Sequence, residues 1–149
     1  METRQVLFLD RDGVINVDVG YLSDPAKLEF IPGAIEAMQE AQRRGYDIIV
    51  VTNQSGVARG YYTEDDVHQL HEEMSRRLEA EGVKVLAYYY CPHHPEGSVA
   101  EYTKDCDCRK PNPGMLTKAI QDWNVDVDGS FLVGDKPSDA QAAESIGMR

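Results

Sequence analysis

Long apolar runs, positive charge and cysteine are all scarce in this 149-residue chain. No apolar stretch approaches the roughly 20 residues that a membrane helix requires. The opening Met-Glu-Thr-Arg-Gln also lacks the apolar core of a secretory signal. These absences lead us to expect a cytoplasmic protein with no membrane partner. Lys and Arg number 15 against 26 Asp and Glu, a net charge of −11. So acidic a balance argues against a general nucleic-acid or anionic-lipid surface. It leaves room for a small anionic substrate, because a site can be locally positive inside an acidic protein. The three cysteines, Cys91, Cys106 and Cys108, are odd in number and follow no secretory signal, which disfavours a disulfide scaffold. Internal repeats, low-complexity tracts and interdomain linkers are missing too. The length suits one domain with one core, and a monomer is the expectation.

What is present is ordered by apolar runs. Four stand out: Val6–Leu9, Ile48–Val51, Val83–Tyr90 and Phe131–Val133. Helical patterns fall between them. Pro32-Gly33 opens the first, with Ile35, Met38 and Ala41 on one face and Gly45 as its stop. Thr63, followed by Glu64, Asp65 and Asp66, reads as the N-cap of the second, whose buried stripe is Val67, Leu70, Met74 and Leu78. A third is predicted to start at Pro113 behind Asn112, and a fourth near Pro137, running through Ala140, Ala143 and Ile146. Strands alternating with helices predict an α/β fold with a doubly wound parallel sheet, helices on both faces. The segment from Cys91 to Pro113 is too long for a simple connection and is expected to be functional or held by something.

The chemistry gathers at strand ends. Val6-Leu-Phe-Leu-Asp10-Arg-Asp12-Gly13 is an apolar strand that stops in two acids and a glycine. Two carboxylates at a strand exit can hold a hard cation and leave an oxygen free to attack. The second strand runs into Thr52-Asn53-Gln54-Ser55-Gly56, where a hydroxyl and turn amides can face an anion. Arg109-Lys110 offers positive charge for a phosphate. The fourth strand ends Gly134-Asp135-Lys136, a third acid at a strand exit. In an open parallel sheet these exits share one edge, the edge where such sheets bind ligands. Cys91 and Cys106-x-Cys108, with His93 or His94, match a closed structural Zn2+ site of three thiolates and one imidazole. His68 and His71 lie three apart on a helix, a spacing read as a solvated face. Tyr88-Tyr89-Tyr90 reads as strand packing.

The order Asp10-x-Asp12-Gly13, Thr52, Lys110 and Gly134-Asp135 resembles the haloacid dehalogenase-like phosphatases over nearly the whole chain. Thr52-Asn-Gln-Ser-Gly-Val-Ala-Arg-Gly60, Cys91-Pro-His-His-Pro95 and Cys106-Asp-Cys-Arg-Lys-Pro111 look like the D-glycero-D-manno-heptose 1,7-bisphosphate 7-phosphatase branch of that family, with histidinol-phosphate phosphatases as a sister branch. The resemblance implies a Rossmann-like, capless fold with a zinc-bound loop. It implies removal of the 7-phosphate of that heptose bisphosphate through an aspartyl phosphate on Asp10, in nucleotide-activated heptose and lipopolysaccharide biosynthesis. Asp12 would be acid and then base, with Thr52 and Lys110 stabilising the phosphoryl group. Asp18, Val19, Gly20, Tyr21, Thr52, Asn53, Gln54, Ser55, Arg109, Lys110 and Lys136 would contact the sugar phosphate. Mg2+ would be held by Asp10, Asp12 through its main-chain carbonyl, and Asp135, with Asp139 helping at most through water. Zn2+ would be held by Cys91, His93, Cys106 and Cys108. Residues 1–149 would form a single phosphatase domain lacking a C-terminal strand and helix. The alternatives are a histidinol-phosphate phosphatase, a nucleic-acid 3′-phosphatase and an inactive zinc-stabilised binding module.

Overall fold

A computed structural model describes residues 3–104 and 106–148. Met1, Glu2, Asp105 and Arg149 lie outside the described residues, and so do the expectations that concern the two ends of the chain. Four parallel strands form one sheet in the order β3-β2-β1-β4, with β1 at Val6–Leu9, β2 at Asp47–Asn53, β3 at Val85–Cys91 and β4 at Phe131–Val133. The helices α1 (Ala34–Arg43), α2 (Glu64–Ala80) and α3 (Gly114–Trp123) fill the three crossovers, and α4 (Pro137–Glu144) follows β4. Among the described residues no second domain is inserted, and no helix is long and apolar enough to cross a membrane.

Period-2 side-chain alternation sends each strand into two cores. Val6, Phe8, Ile49 and Val51 pack with Met115, Leu116 and Ala119 of α3 and Ala142 and Ala143 of α4. Leu9, Ile48 and Val50 pack with Met38 of α1 and Leu70, Met74 and Leu78 of α2. The register sets Leu9 opposite both Val50 and Val133. The first residues beyond β1, the end of β2 and the exit of β4 therefore share one edge.

β2 extends past the apolar run Ile48–Val51 at both ends and β3 ends one residue past Tyr90, and three further bounds differ from expectation. Val83 belongs to the turn after α2, where its N–H donates to the Leu78 carbonyl, so β3 begins at Val85. Asn112 does not cap α3: its side chain donates to the Cys106 carbonyl at 2.7 Å, and Pro113 takes the cap position. Ile146 lies beyond α4, in a turn that Met148 closes by donating to the Ala143 carbonyl.

The solvated face expected for His68 and His71 fails at His71. That ring is buried, stacks on Tyr88 at 4.4 Å and accepts a bond from Arg11 Nη1 at 3.2 Å. Burial first, then the Arg11 charge, push His71 down from its ordinary value to about 3. Below about pH 6.5 the unfolded chain protonates this residue and the folded chain does not. Its contribution to stability is therefore complete above that pH and declines toward pH 3, by up to about 1.4 kcal/mol per unit. An imidazole NMR titration should find His71 neutral down to about pH 4.5; a midpoint near 6.5 would contradict its burial beside Arg11.

Candidate active site

Asp10 follows β1 directly, and its N–H donates to the Val133 carbonyl at 3.1 Å, which ties β1 to β4 at the edge. Lys110 arrives from the long loop. Its buried Nζ lies 3.2 Å from Asp10 Oδ1, donates to the Val51 carbonyl at 3.1 Å and contacts Asp139. Asn53 holds the incoming loop on both sides, accepting from Lys110 N at 3.0 Å and donating to its carbonyl at 3.4 Å. Asp10, Asp12, Thr52, Asn53, Lys110, Lys136, Ser138 and Asp139 line a recess of about 40 Å³. That volume admits a group of a few heavy atoms and not a whole sugar ring. Burial raises the Asp10 carboxyl above its ordinary value, the Lys110 charge opposes this, and Asp139 adds to it.

Asp10, Asp135 and Asp139 bring carboxylate oxygens within 4.8 Å of one another. Two glycines make this approach feasible. A Cβ on Gly13 would lie 2.1 Å from Asp135 Oδ2, and one on Gly134 would lie 2.2 Å from Asp139 Cγ. An all-oxygen donor set of this kind fits a hard divalent cation. Asp139 sits closer to this set than sequence reasoning allowed. It is 2% exposed, and besides Lys110 it accepts from Lys136 N at 3.3 Å. The lysine contact gives it a clear role in holding Lys110.

Asp12 is gripped from two sides. Arg11 Nε and Nη2 donate to its Oδ1 at 3.2 and 3.0 Å, and Asn16 Nδ2 donates to the same oxygen at 3.0 Å. Gln54 Nε2 donates to its Oδ2 at 3.1 Å. Burial alone would raise the carboxyl. The Arg11 charge and these bonds bring it below its ordinary value. The fully buried Arg11, and the His71 behind it, escaped the sequence reading; the one signal was an arginine set between two acids at the end of a buried strand.

The other predicted substrate residues are placed differently. Lys136 lines the recess, whereas the amide of Gln54 is spent on neighbouring side chains and its N–H donates to the Cys91 carbonyl. Asp18 caps its own turn by accepting from Gly20 N, and Val19, Gly20 and Tyr21 line a separate shallow groove of about 270 Å³. Tyr21 meets Tyr61 edge-on at 4.6 Å, and the Arg59 guanidinium lies 6.0 Å from the Tyr21 ring centre. The Ser55 carbonyl accepts from Arg59 N, and the Arg109 carbonyl accepts from Asn112 N.

The sulfurs converge as expected. Cys106 Sγ is 3.3 Å from both Cys91 and Cys108 Sγ, and His93 Nδ1 is 3.7 and 3.5 Å from Cys91 and Cys108. These separations approach the edges of about 3.5–3.8 Å expected of a tetrahedron with Zn–S near 2.3 Å and Zn–N near 2.0 Å. His93 is the imidazole that joins the thiols. His94 turns away, its Nδ1 accepting from Glu96 N at 2.9 Å and its Nε2 lying 3.1 Å from Arg59 Nη2.

An open parallel sheet with a carboxylate pair after β1, a threonine at the end of β2, an inserted lysine and acids after β4 defines the class: a phosphatase core of the haloacid dehalogenase type. Residues 18–145 match the family described as Polynucleotide kinase 3 phosphatase. The D-glycero-beta-D-manno-heptose-1,7-bisphosphate 7-phosphatase of Pasteurella multocida is 50% identical over 98% of this chain and 79% of its own length. The enzyme of that name from Escherichia coli K12 is 51% identical over 92% of this chain and 72% of its own. A crystal structure of D,D-heptose 1.7-bisphosphate phosphatase from B. bronchiseptica, complexed with magnesium and phosphate, superimposes with a TM-score of 0.85 at 34% identity, covering 97% of this chain and 77% of that one. The chain belongs to the Polynucleotide kinase 3 phosphatase family, on the branch of the heptose bisphosphate 7-phosphatases.

Gly13 has φ +86°, where an alanine is strained by about 1–2 kcal/mol even before its Cβ meets Asp135. Gly13→Ala should weaken Mn2+ binding at this edge at least about tenfold by calorimetric titration. Undiminished affinity would show that Asp135 is free to withdraw and does not belong to the cation set.

Proposed function

We propose that this chain hydrolyses the 7-phosphate of D-glycero-D-manno-heptose 1,7-bisphosphate, a step on the route to nucleotide-activated heptose for lipopolysaccharide. The observation that carries the reading is the Asp10 carboxylate held 3.2 Å from the Lys110 ammonium at the mouth of a phosphoryl-sized recess. Relatives half identical in sequence bear that enzyme's name. Asp10 attacks phosphorus while the sugar oxygen leaves with a proton from Asp12. Water, deprotonated by the same Asp12, then cleaves the aspartyl phosphate and releases inorganic phosphate. The Arg11 pair suits Asp12 to the second, basic role. In the first step the phosphate dianion beside it raises its affinity for the proton. Thr52 and Lys110 stabilise the phosphoryl oxygens, and Lys136 meets the substrate at the recess wall.

Mg2+ fits the oxygen set, with Asp10, the Asp12 carbonyl and Asp135 to hold it; when bound it neutralises phosphate charge and orients the attack. Zn2+ on Cys91, His93, Cys106 and Cys108 is structural in this reading, since four protein ligands leave no place for water. Asp18 to Tyr21, Ser55 and Arg109 contact the part of the sugar phosphate that stays outside the recess. The whole works as one phosphatase domain, a cytoplasmic monomer acting on a small soluble ester.

The family's name points to polynucleotides, so a 3′-phosphorylated oligonucleotide is the natural competitor substrate. A net charge of −11 disfavours it, because binding a polyanion draws on basic residues that neutralise its phosphates and release their counterions to the solvent. Side-by-side turnover of heptose bisphosphate, histidinol phosphate and a 3′-phosphorylated oligonucleotide should favour the heptose by at least about a hundredfold in kcat/KM. A preference for either of the others refutes the assignment. Asp10→Asn should abolish turnover without unfolding the chain, and residual wild-type rates would remove Asp10 from the nucleophile's role. Cys106→Ser should bring zinc, measured by elemental analysis, from about one equivalent to near none; full zinc occupancy in that variant would place the metal elsewhere.

A further inference from the structure

We propose that Gln54 and Tyr62 are positioning residues for the chemistry, Tyr62 fixing which way the Gln54 amide faces and that amide aiming two groups of the recess at once. The inference rests on the reading of Asp12 as general acid. Gln54 is 2% exposed and every hydrogen-bonding atom of its side chain is engaged. Its Oε1 faces two donors, the Tyr62 hydroxyl at 2.6 Å and Arg11 Nη2 at 3.3 Å. Arg11 can only donate, so the amide oxygen must lie on that side. Its Nε2 therefore faces the two acceptors, Asp12 Oδ2 at 3.1 Å and Thr52 Oγ1 at 2.9 Å.

Each of these bonds has a directional consequence. Thr52 Oγ1 accepts from Gln54, so the hydroxyl must spend its own hydrogen elsewhere. Its other contact, the Asn53 carbonyl at 3.5 Å, is long, which leaves that hydrogen for a phosphoryl oxygen in the recess that Thr52 lines. Arg11 reaches both Asp12 oxygens, Asn16 adds a bond to Oδ1, and Gln54 adds one to Oδ2 from the side facing Thr52. The Asp12 side chain remains 21% exposed, along the recess it lines. Tyr62 is suited to the fixing role. Its ring lies so close to Gly56 that a Cβ there would come within 2.4 Å of it, so the fold leaves room for this one ring. Burial also keeps the hydroxyl a neutral donor, pushed up to about 12.

A buried glutamine that only supported the fold would affect all substrates alike. One that aims the general acid affects esters according to how much their leaving group needs a proton. The test compares kcat/KM for a sugar phosphate, whose alkoxide leaves poorly, with that for p-nitrophenyl phosphate, whose phenolate leaves without protonation. Gln54→Met should lower the sugar phosphate value by about a hundredfold, with the aryl ester falling at least tenfold less, its smaller loss coming through Thr52. Tyr62→Phe should move the ratio of the two values in the same direction by at least about threefold. It carries the test alone if the methionine variant does not fold. Asp12→Asn sets the scale, and adding Gln54→Met to it should shift the ratio no further. Equal losses on both esters, or no loss, overturn the inference while leaving Asp12 in its role. If Asp12→Asn itself leaves the ratio unchanged, the general-acid reading falls and this inference with it.

Discussion

One buried ammonium holds the site together. Three carboxylates, Asp10, Asp135 and Asp139, meet at the same sheet edge in a protein that already carries net charge −11. Packed acids of this kind repel one another and resist ionisation as they lose water. Lys110 answers part of that charge by touching Asp10, Asp139 and the Val51 carbonyl together. A divalent cation answers more of it, and the phosphoryl group reverses the balance again. The charges at this edge are thus poised for a ligand pair of opposite sign, cation and phosphate.

Lys110 comes from a loop with little regular structure, and its placement depends on how that loop is held. The last sulfur of the thiol cluster, Cys108, stands two residues before it. Asn112 returns to the Cys106 carbonyl, and Asn53 clasps the Lys110 main chain from β2. Metal-ligand bonds on the sulfurs would fix one side of the segment and the sheet fixes the other. Loss of the metal should therefore reach the chemistry by displacing Lys110, without touching Asp10 or Asp12.

Much of this arrangement was legible in the chain. Each apolar run became a strand at nearly its expected bounds, because a strand buried on both faces has to be apolar throughout. That Asp10, Thr52 and Asp135 share one edge followed from parallel topology, whereas Lys110 reaches it only through its held loop. Other features resisted for physical reasons. Asn112 is a good helix cap in isolation and was diverted by a tertiary partner, the Cys106 carbonyl. Arg11 and His71 are residue types that usually seek water, and only a shared buried network explains them inside. Asp139 lies one helical turn beyond the strand exit, and its inward direction depends on Gly134 having no side chain.

The smallness of the recess bears on specificity. A pocket of about 40 Å³ can take the reacting phosphoryl group and leaves the remainder of any sugar substrate over the rim. In the separate groove, Tyr21 meets Tyr61 edge-on, with Arg59 against the Tyr21 ring. Arg59 lies in turn against His94, the immediate neighbour of the thiol cluster's histidine. The loop thus supports two cations by separate routes, Lys110 inside the recess and Arg59 outside it. On the proposed reading the thiol-bound metal therefore organises the cation inside the recess, and the part of the sugar left outside it meets residues that never touch the reacting phosphorus.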